Sequence, residues 1–168
     1  MVATTNLAPE ITLRPATAGD CGTLAALLLE AFAHYGDPRP QSLEAMTERL
    51  HRHLGAAPGY EAILAEYDGT AIGFAIYAPV FWTSDCEIGL FLKEIFIVTP
   101  HRGRGVGRAI MGALARVANE RGWTRIVWTV DRRNKRGLRF YDRLNGARGL
   151  DKNVYMIAGR DVARLASR

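Results

Sequence analysis

The chain has 168 residues, 48% of them apolar and 23% charged, which suits one globular domain able to bury roughly two-thirds of its unfolded surface. No apolar run approaches the roughly 20 residues that cross a bilayer, and the opening MVATTNLAPEITLRP lacks the basic start and continuous apolar stretch of a secretion signal. Two cysteines, Cys21 and Cys86, make no disulfide framework and point to a reduced, cytoplasmic protein whose thiols serve in packing or at the surface.

The net charge of +5 hides an asymmetry: residues 1–100 carry −7, residues 101–148 carry +10 and residues 149–168 carry +2. A basic segment joined to an acidic one suggests two differently charged ligands meeting on one domain, an anion on the second block and a cation on the first. Solvated helix and loop faces would produce the same counts, so motifs have to decide.

In chain order, residues 11–14 alternate like a short strand, and Pro15 leads through Ala16–Asp20 into a helix that Thr17 or Asp20 could cap. Leu24, Leu27, Leu28, Ala31 and Phe32 recur at helical spacing to about His34, before Gly36–Pro40 breaks the pattern. A second helix over 42–54 places Leu43, Met46, Leu50 and Leu54 on one face. Three strands follow as an antiparallel meander: 60–67, then 70–80 after an Asp68-Gly69 hairpin signal, then 89–98. After Pro100 the period returns to 3.6 for a helix over 105–121, closed by Gly122. A buried strand at 125–130, a helix at 135–144, a final strand at Val154–Ile157 and a short helix at 161–167 complete an α/β (α+β) order in which 89–130 makes one crossover unit. The chain has no internal repeat or linker, so residues 1–168 read as a single domain with its core over 11–158.

Thr99–Arg108 (TPHRGRGVGR) lies between a strand and a helix and carries Gly103, Gly105 and Gly107. Glycines let the backbone approach a ligand closely, and the helix that starts near Val106 presents unpaired N–H groups and the positive end of its dipole. Together these make a cradle for a pyrophosphate, with Arg102, Arg104 and Arg108 adding charge at the rim. The nucleotide P-loop needs a Gly-Lys-Ser/Thr ending and the dinucleotide fingerprint a different glycine spacing, so neither fits.

Arg102-x-x-Gly105-x-Gly107, after Ile95–Val98 and before an amphipathic helix, resembles the acetyl-coenzyme A signature of the GNAT superfamily of N-acetyltransferases. Asn134, then Phe140-Tyr141 and Gly146-Ala147, resembles the second motif of that superfamily, and the similarity runs over about 11–158. Gly73–Tyr77, Phe81–Thr83 and Trp128-x-Val130 look most like its diamine (spermidine/spermine-like) branch. Two positions depart: Lys93-Glu94 replaces an acidic pair, and Asn145 is an extra residue in the last turn.

The resemblance implies a mixed, mostly antiparallel central sheet of six to seven strands flanked by helices, with a splayed parallel pair, 89–98 and 125–130, holding the cosubstrate acetyl-coenzyme A and no metal. Backbone groups of Ile97 and Val98 would face the pantetheine, and N–H groups of Arg102, Gly103, Arg104, Gly105, Val106, Gly107 and Arg108 the pyrophosphate. Asn134 would hydrogen-bond the cofactor, cap a helix, or both. Tyr141 matches the tyrosine that protonates the leaving thiolate, or is a core aromatic. Arg132, Arg133, Lys135, Arg136 and Arg139 form a second basic cluster, some of it near the ribose phosphate and most of it solvated.

The chemistry adds a base. An alkyl ammonium with a pKa near 10.4 is on the order of one part in a thousand neutral at pH 7, so attack on a thioester requires proton removal. Glu94, on the strand leading to the cradle, is the best candidate, acting directly or through water, unless it only pairs with Lys93; strict alternation sends the two side chains to opposite faces. Glu87 and His34 are weaker choices. The expected oxyanion donor is a backbone N–H of the splayed strand near Val98. Tyr35, Trp82, Asp85 and Glu87 are the expected acceptor site, favouring a small cationic amine such as a diamine, a polyamine or an amino-acid-like compound. Acyl transfer to a protein N-terminus or lysine, or a coenzyme A- or nucleic-acid-binding module without turnover, are the alternatives. No nucleic acid or membrane partner is expected, and a homodimer is possible.

Overall fold

Local signals set the strands and helices. The structure, a computed structural model, describes residues 5–6, 11–36, 41–57 and 59–166. Among them are β1 (Thr5–Asn6), β2 (Ile11–Pro15), α1 (Cys21–His34), α2 (Leu43–His53), β3 (Glu61–Tyr67), β4 (Thr70–Trp82), β5 (Glu87–Ile97), α3 (Val106–Glu120), β6 (Ile126–Trp128), α4 (Lys135–Tyr141) and α5 (Arg160–Ala166). The chain divides into two compact units, one ending at Thr129 and one beginning at Val130.

In the first unit the strands pair in sequence order, all antiparallel except β5 with β6. The mixed, mostly antiparallel sheet thus has five strands of three or more residues and the two-residue β1 on one edge. The β3–β4 turn forms because Asp68 and Gly69 both accept positive φ, 49° and 72°, as a two-residue hairpin loop of this hand requires. Both sheet faces are covered, which is why β3 and β4 read as continuous apolar runs. On one face Leu24, Leu27, Leu28 and Ala31 of α1 pack against Ala62, Leu64, Phe74, Ile76 and Phe96. On the other, α3 buries Val106, Ile110, Met111, Ala113, Leu114, Val117 and Ala118 and lies against β2, β3, β5 and β6.

The feature that shapes the site is a bulge. Ile76 pairs with Glu94 and its neighbour Tyr77 with Leu92, so Lys93 has no opposite residue on β4. Adjacent β4 residues face opposite ways: Ile76 lies in the α1-side core, whereas Tyr77 lines a cavity with Val117 of α3. Glu94 therefore shares the α1 face and Leu92 the α3 face, although they are two residues apart. Strict alternation through Lys93-Glu94 does not hold, because the extra residue resets the parity of the strand.

Three sequence expectations are corrected. The strand expected at 125–130 is only Ile126–Trp128, paired with Leu90–Leu92; its ladder stops where β5 bulges. The helix expected to Leu144 ends at Tyr141, where Arg143 N and Leu144 N bond three residues back, to Phe140 and Tyr141 carbonyls, and tighten the chain into a turn. Val154–Ile157 form no strand: strand preference expresses itself only beside another strand, and among the described residues none pairs with this run. All four of its side chains are exposed. The start of the terminal helix is at Arg160.

The entry to α1 is held by charge. Arg14 of β2 donates to both oxygens of Asp20, at 2.8 and 2.9 Å, and to Glu66 of β3 at 2.7 Å, while Asp20 also accepts from Thr17 N and Oγ1 at 2.7 and 2.8 Å. The Arg14 guanidinium and these N–H and O–H donors hold the Asp20 carboxyl well below the usual carboxylate range. A group depressed in this way stabilises the fold above its unfolded pKa, near 3.9, and loses that contribution as pH falls through the folded value. Asp20→Asn is expected to lower stability by about 1–3 kcal/mol at pH 7, with the gap to wild type closing below about pH 4, as urea titrations across pH will measure.

Candidate active site

The site begins at the end of β5. Val98 N donates to Ile72 O at 2.9 Å, which makes 98 and 72 a bonded pair; the polar backbone groups of Ile97 and Ile95, at the alternate positions, therefore point away from β4. Before the bulge the outward residues are even-numbered, and Leu90 N bonds Arg125 O at 3.0 Å. β6 pairs only with Leu90–Leu92, so Ile95 and Ile97 front an edge that β6 leaves open. This corrects the expectation for Val98, whose N–H is committed to β4 and is no oxyanion donor. Ile95 takes its place as an edge residue. Sequence reasoning missed it because nothing in the local sequence marks the bulge.

A turn at Thr99–His101 then leads into the cradle. His101 N and Arg102 N close it on the carbonyls of Val98 and Thr99, at 3.1 and 3.2 Å. Gly103 and Gly105 have φ of 80° and 86°, a conformation side chains rarely adopt, and a Cβ on either would meet nothing within 4 Å, so the backbone is bare. Gly105 caps α3, placing Val106 and Gly107 in a first turn whose N–H groups have no carbonyl four residues back. Bare backbone, positive helix end and the exposed Arg104 and Arg108 fit a pyrophosphate.

Arg102 departs from expectation. Its Nε donates to Ile97 O at 2.6 Å and its Nη1 lies 2.8 Å from His34 Nε2, with the guanidinium 5.1 Å from the Phe96 ring centre. The side chain is turned onto the strand and α1 rather than out over the glycines, because those partners satisfy its donors.

Glu94 is half-buried on the α1 face. Burial pushes its carboxyl above the ordinary value, against smaller opposing effects of Lys93, exposed on the bulge, and of a hydrogen bond from the Ile95 backbone N–H. The Tyr35 hydroxyl is pushed up as well, first by burial and then by the charge of Glu94; the Tyr35 ring stands edge-on to Phe96 at 6.3 Å and to His34 at 5.5 Å. Tyr35, His34, Glu94, Phe96 and Arg102 thus form one cluster beside the open edge.

The rest of the expected acceptor site lies elsewhere. Trp82 and Glu87 pair at the far end of the β4–β5 hairpin, roughly 20 Å along the strand from Glu94 at about 3.3 Å per residue. There Asp85 forms an ion pair with Arg125, Arg125 Nη1 donates to Ser84 Oγ at 3.0 Å, and the guanidinium sits 5.6 Å from the Trp82 ring. The aromatic-plus-carboxylate arrangement read as a site for a substrate cation already holds a cation of the protein.

In the second unit Asn134 caps α4, its Oδ1 accepting from Gly137 N at 2.8 Å. Tyr141, at the last position of α4, is half-buried, its ring 5.1 Å from Phe140. The basic side chains Arg132, Arg133, Lys135, Arg136 and Arg139 are exposed.

Two outcomes follow. Gly105→Val forces a β-branched residue to φ 86° and sets a side chain over the cradle, so calorimetric titration is expected to find coenzyme A binding weakened at least tenfold. Glu94 has a raised carboxyl pKa, so stability falls as pH rises through it. Glu94→Gln is expected to melt at a higher temperature than wild type at pH 8, the difference shrinking as pH falls toward the ordinary carboxylate range, as melting curves across pH will test.

Known proteins resemble this chain in sequence and in fold. Thialysine N-epsilon-acetyltransferase of Bos taurus is 27% identical over 94% of this chain and 98% of its own. An L-ornithine N5-acetyltransferase of Arabidopsis thaliana is 27% identical over 46% of this chain and 34% of its own. Among solved structures, an integron cassette protein of V. cholerae shares the fold with a TM-score of 0.84 at 21% identity, covering 96% of this chain and all of that one. An aminoglycoside N-acetyltransferase in complex with CoA does so with a TM-score of 0.74 at 19% identity, covering 90% and 99%. Residues 24–147 match the model described as the acetyltransferase (GNAT) family, and that match covers most of the chain, which therefore belongs to the GNAT acetyltransferases.

Proposed function

We propose that this chain transfers the acetyl group of acetyl-coenzyme A to the primary amine of a small cationic acceptor, a diamine, polyamine or amino-acid-like compound, by direct attack. The observation that carries this reading is Glu94: a carboxylate half-buried on the α1 face beside Tyr35, with its pKa raised, just before an open strand edge that ends in an anion cradle. The names of the thialysine and ornithine relatives favour an acceptor of the same size and charge. The family match crosses the boundary between the two units, and we read residues 1–168 as one acetyltransferase domain.

Each group has a part. Backbone N–H groups from Gly103 to Arg108, with Arg104 and Arg108 side chains, hold the pyrophosphate. The outward N–H of Ile97 and C=O of Ile95 pair with the amides of the arm that carries the thioester; Arg102 already holds the Ile97 carbonyl, and the Ile95 N–H bonds the Glu94 carboxylate. The acetyl-coenzyme A thioester supplies the electrophile. Glu94 takes a proton from the acceptor ammonium, directly or through one water; a carboxylate held above its ordinary pKa is the better base for an amine whose own pKa lies several units higher. Tyr141 gives a proton to the departing sulfur, a role assigned from its place after Asn134 and Phe140. Neither Cys21, buried, nor Cys86, exposed and in the hairpin connection, has a base partner suited to a nucleophile, which supports attack without an acyl-enzyme. A cytoplasmic setting and a homodimer belong to the same reading, the exposed apolar run Val154–Ile157 being a surface that a second copy would cover.

A thiol-release assay with acetyl-coenzyme A across diamines, polyamines, basic amino acids, aminoglycosides and lysine peptides tests the proposal. Turnover is expected with a small amine and not with peptides; coenzyme A binding without thiol release from any amine would overturn it. With the acceptor found, Glu94→Gln is expected to lower kcat by roughly 100- to 10,000-fold and Tyr141→Phe by roughly 10- to 1000-fold, with cofactor affinity little changed.

A further inference from the structure

Arg102 connects two parts of the site that the sequence keeps 68 residues apart. One side of its guanidinium holds Ile97 O, on the open edge; the other meets His34, the last residue of α1. A guanidinium has donors only, so His34 Nε2 is the acceptor and the ring is neutral, with its proton on Nδ1. His34 in turn stands edge-on to Phe96 at 6.0 Å and to Tyr35 at 5.5 Å.

We propose that His34 is a positioning residue for acetyl transfer: by accepting from Arg102 it keeps that side chain on Phe96, and so fixes the Tyr35 ring, beside Glu94, against the strand edge that presents the thioester. This rests on the function proposed above. An arginine in a basic, glycine-rich loop has rotamer entropy to lose on ordering and a proposed phosphate site next to it. It stays on the strand only where several contacts hold it together, and here the carbonyl, the imidazole and the aromatic face do so. The three arginines of the loop thereby divide their work, Arg104 and Arg108 serving the phosphates and Arg102 the acceptor side.

The division is measurable. His34→Ala is expected to raise the acceptor KM roughly 3- to 30-fold, the scale of one lost hydrogen bond to a charged group, while the Kd for coenzyme A, titrated without acceptor, changes less than twofold. His34→Gln, whose Oε1 can accept from the same Nη1, should restore most of the loss. Arg102→Ala made on top of His34→Ala should raise acceptor KM by less than it does alone, because the two residues act as one unit. An unchanged KM in His34→Ala, a coenzyme A Kd rising as much as the KM, or failure of the Gln variant to restore it would overturn the inference. A wild type that acetylates no amine would instead overturn the proposed function, and this inference with it.

Discussion

Lys93 has no opposite residue on β4, and that one insertion orders the rest of the site. It resets which face each later residue of β5 occupies, so that Glu94 stands beside α1 while Leu92 stays against α3. It also resets which residues direct their backbone groups outward, from Leu90 and Leu92 before it to Ile95 and Ile97 after it. The pairing with β6 ends at the same point, so the two parallel strands stop sharing a ladder where β5 changes register. A half-buried carboxylate on one face and a strand edge that β6 does not cover thus arise from a single break in register.

The charge asymmetry acquires a physical meaning at the same place. The basic segment begins with the cradle, where backbone dipoles and side chains favour an anion. The acidic segment ends at Glu94, whose burial works against its own ionisation. Much of the remaining acidity is structural: Asp20 and Glu66 share Arg14, and Glu61 forms a two-point ion pair with Arg121 at 2.5 and 2.6 Å while accepting from Tyr77. These carboxylates join strands and helices of one core and are not available to a ligand.

Legibility in the sequence followed the range of the interactions. Helices α1, α2 and α3 and the β3–β4 hairpin are readable because apolar spacing, Asp68-Gly69 and Gly122 act within a few residues. The glycine cradle was readable for the same reason. What failed depended on distant partners. Val154–Ile157 have strand-forming side chains and no neighbour to pair with; Val98 looked like a free edge residue until its bond to Ile72 was in place; Arg102 looked like a phosphate ligand until His34 and Ile97 were beside it. Trp82 and Asp85 were grouped with Tyr35 by composition, and only the length of the β4–β5 hairpin separates them.

That hairpin tip carries a lesson about selectivity. Its indole and carboxylate enclose Arg125, a cation tethered at the start of the next strand. Tethering gives an internal ion a local concentration that a free amine at millimolar levels does not match. The tip is consequently self-saturated: its indole and carboxylate fasten the hairpin to the start of β6 and leave no vacant cation site there.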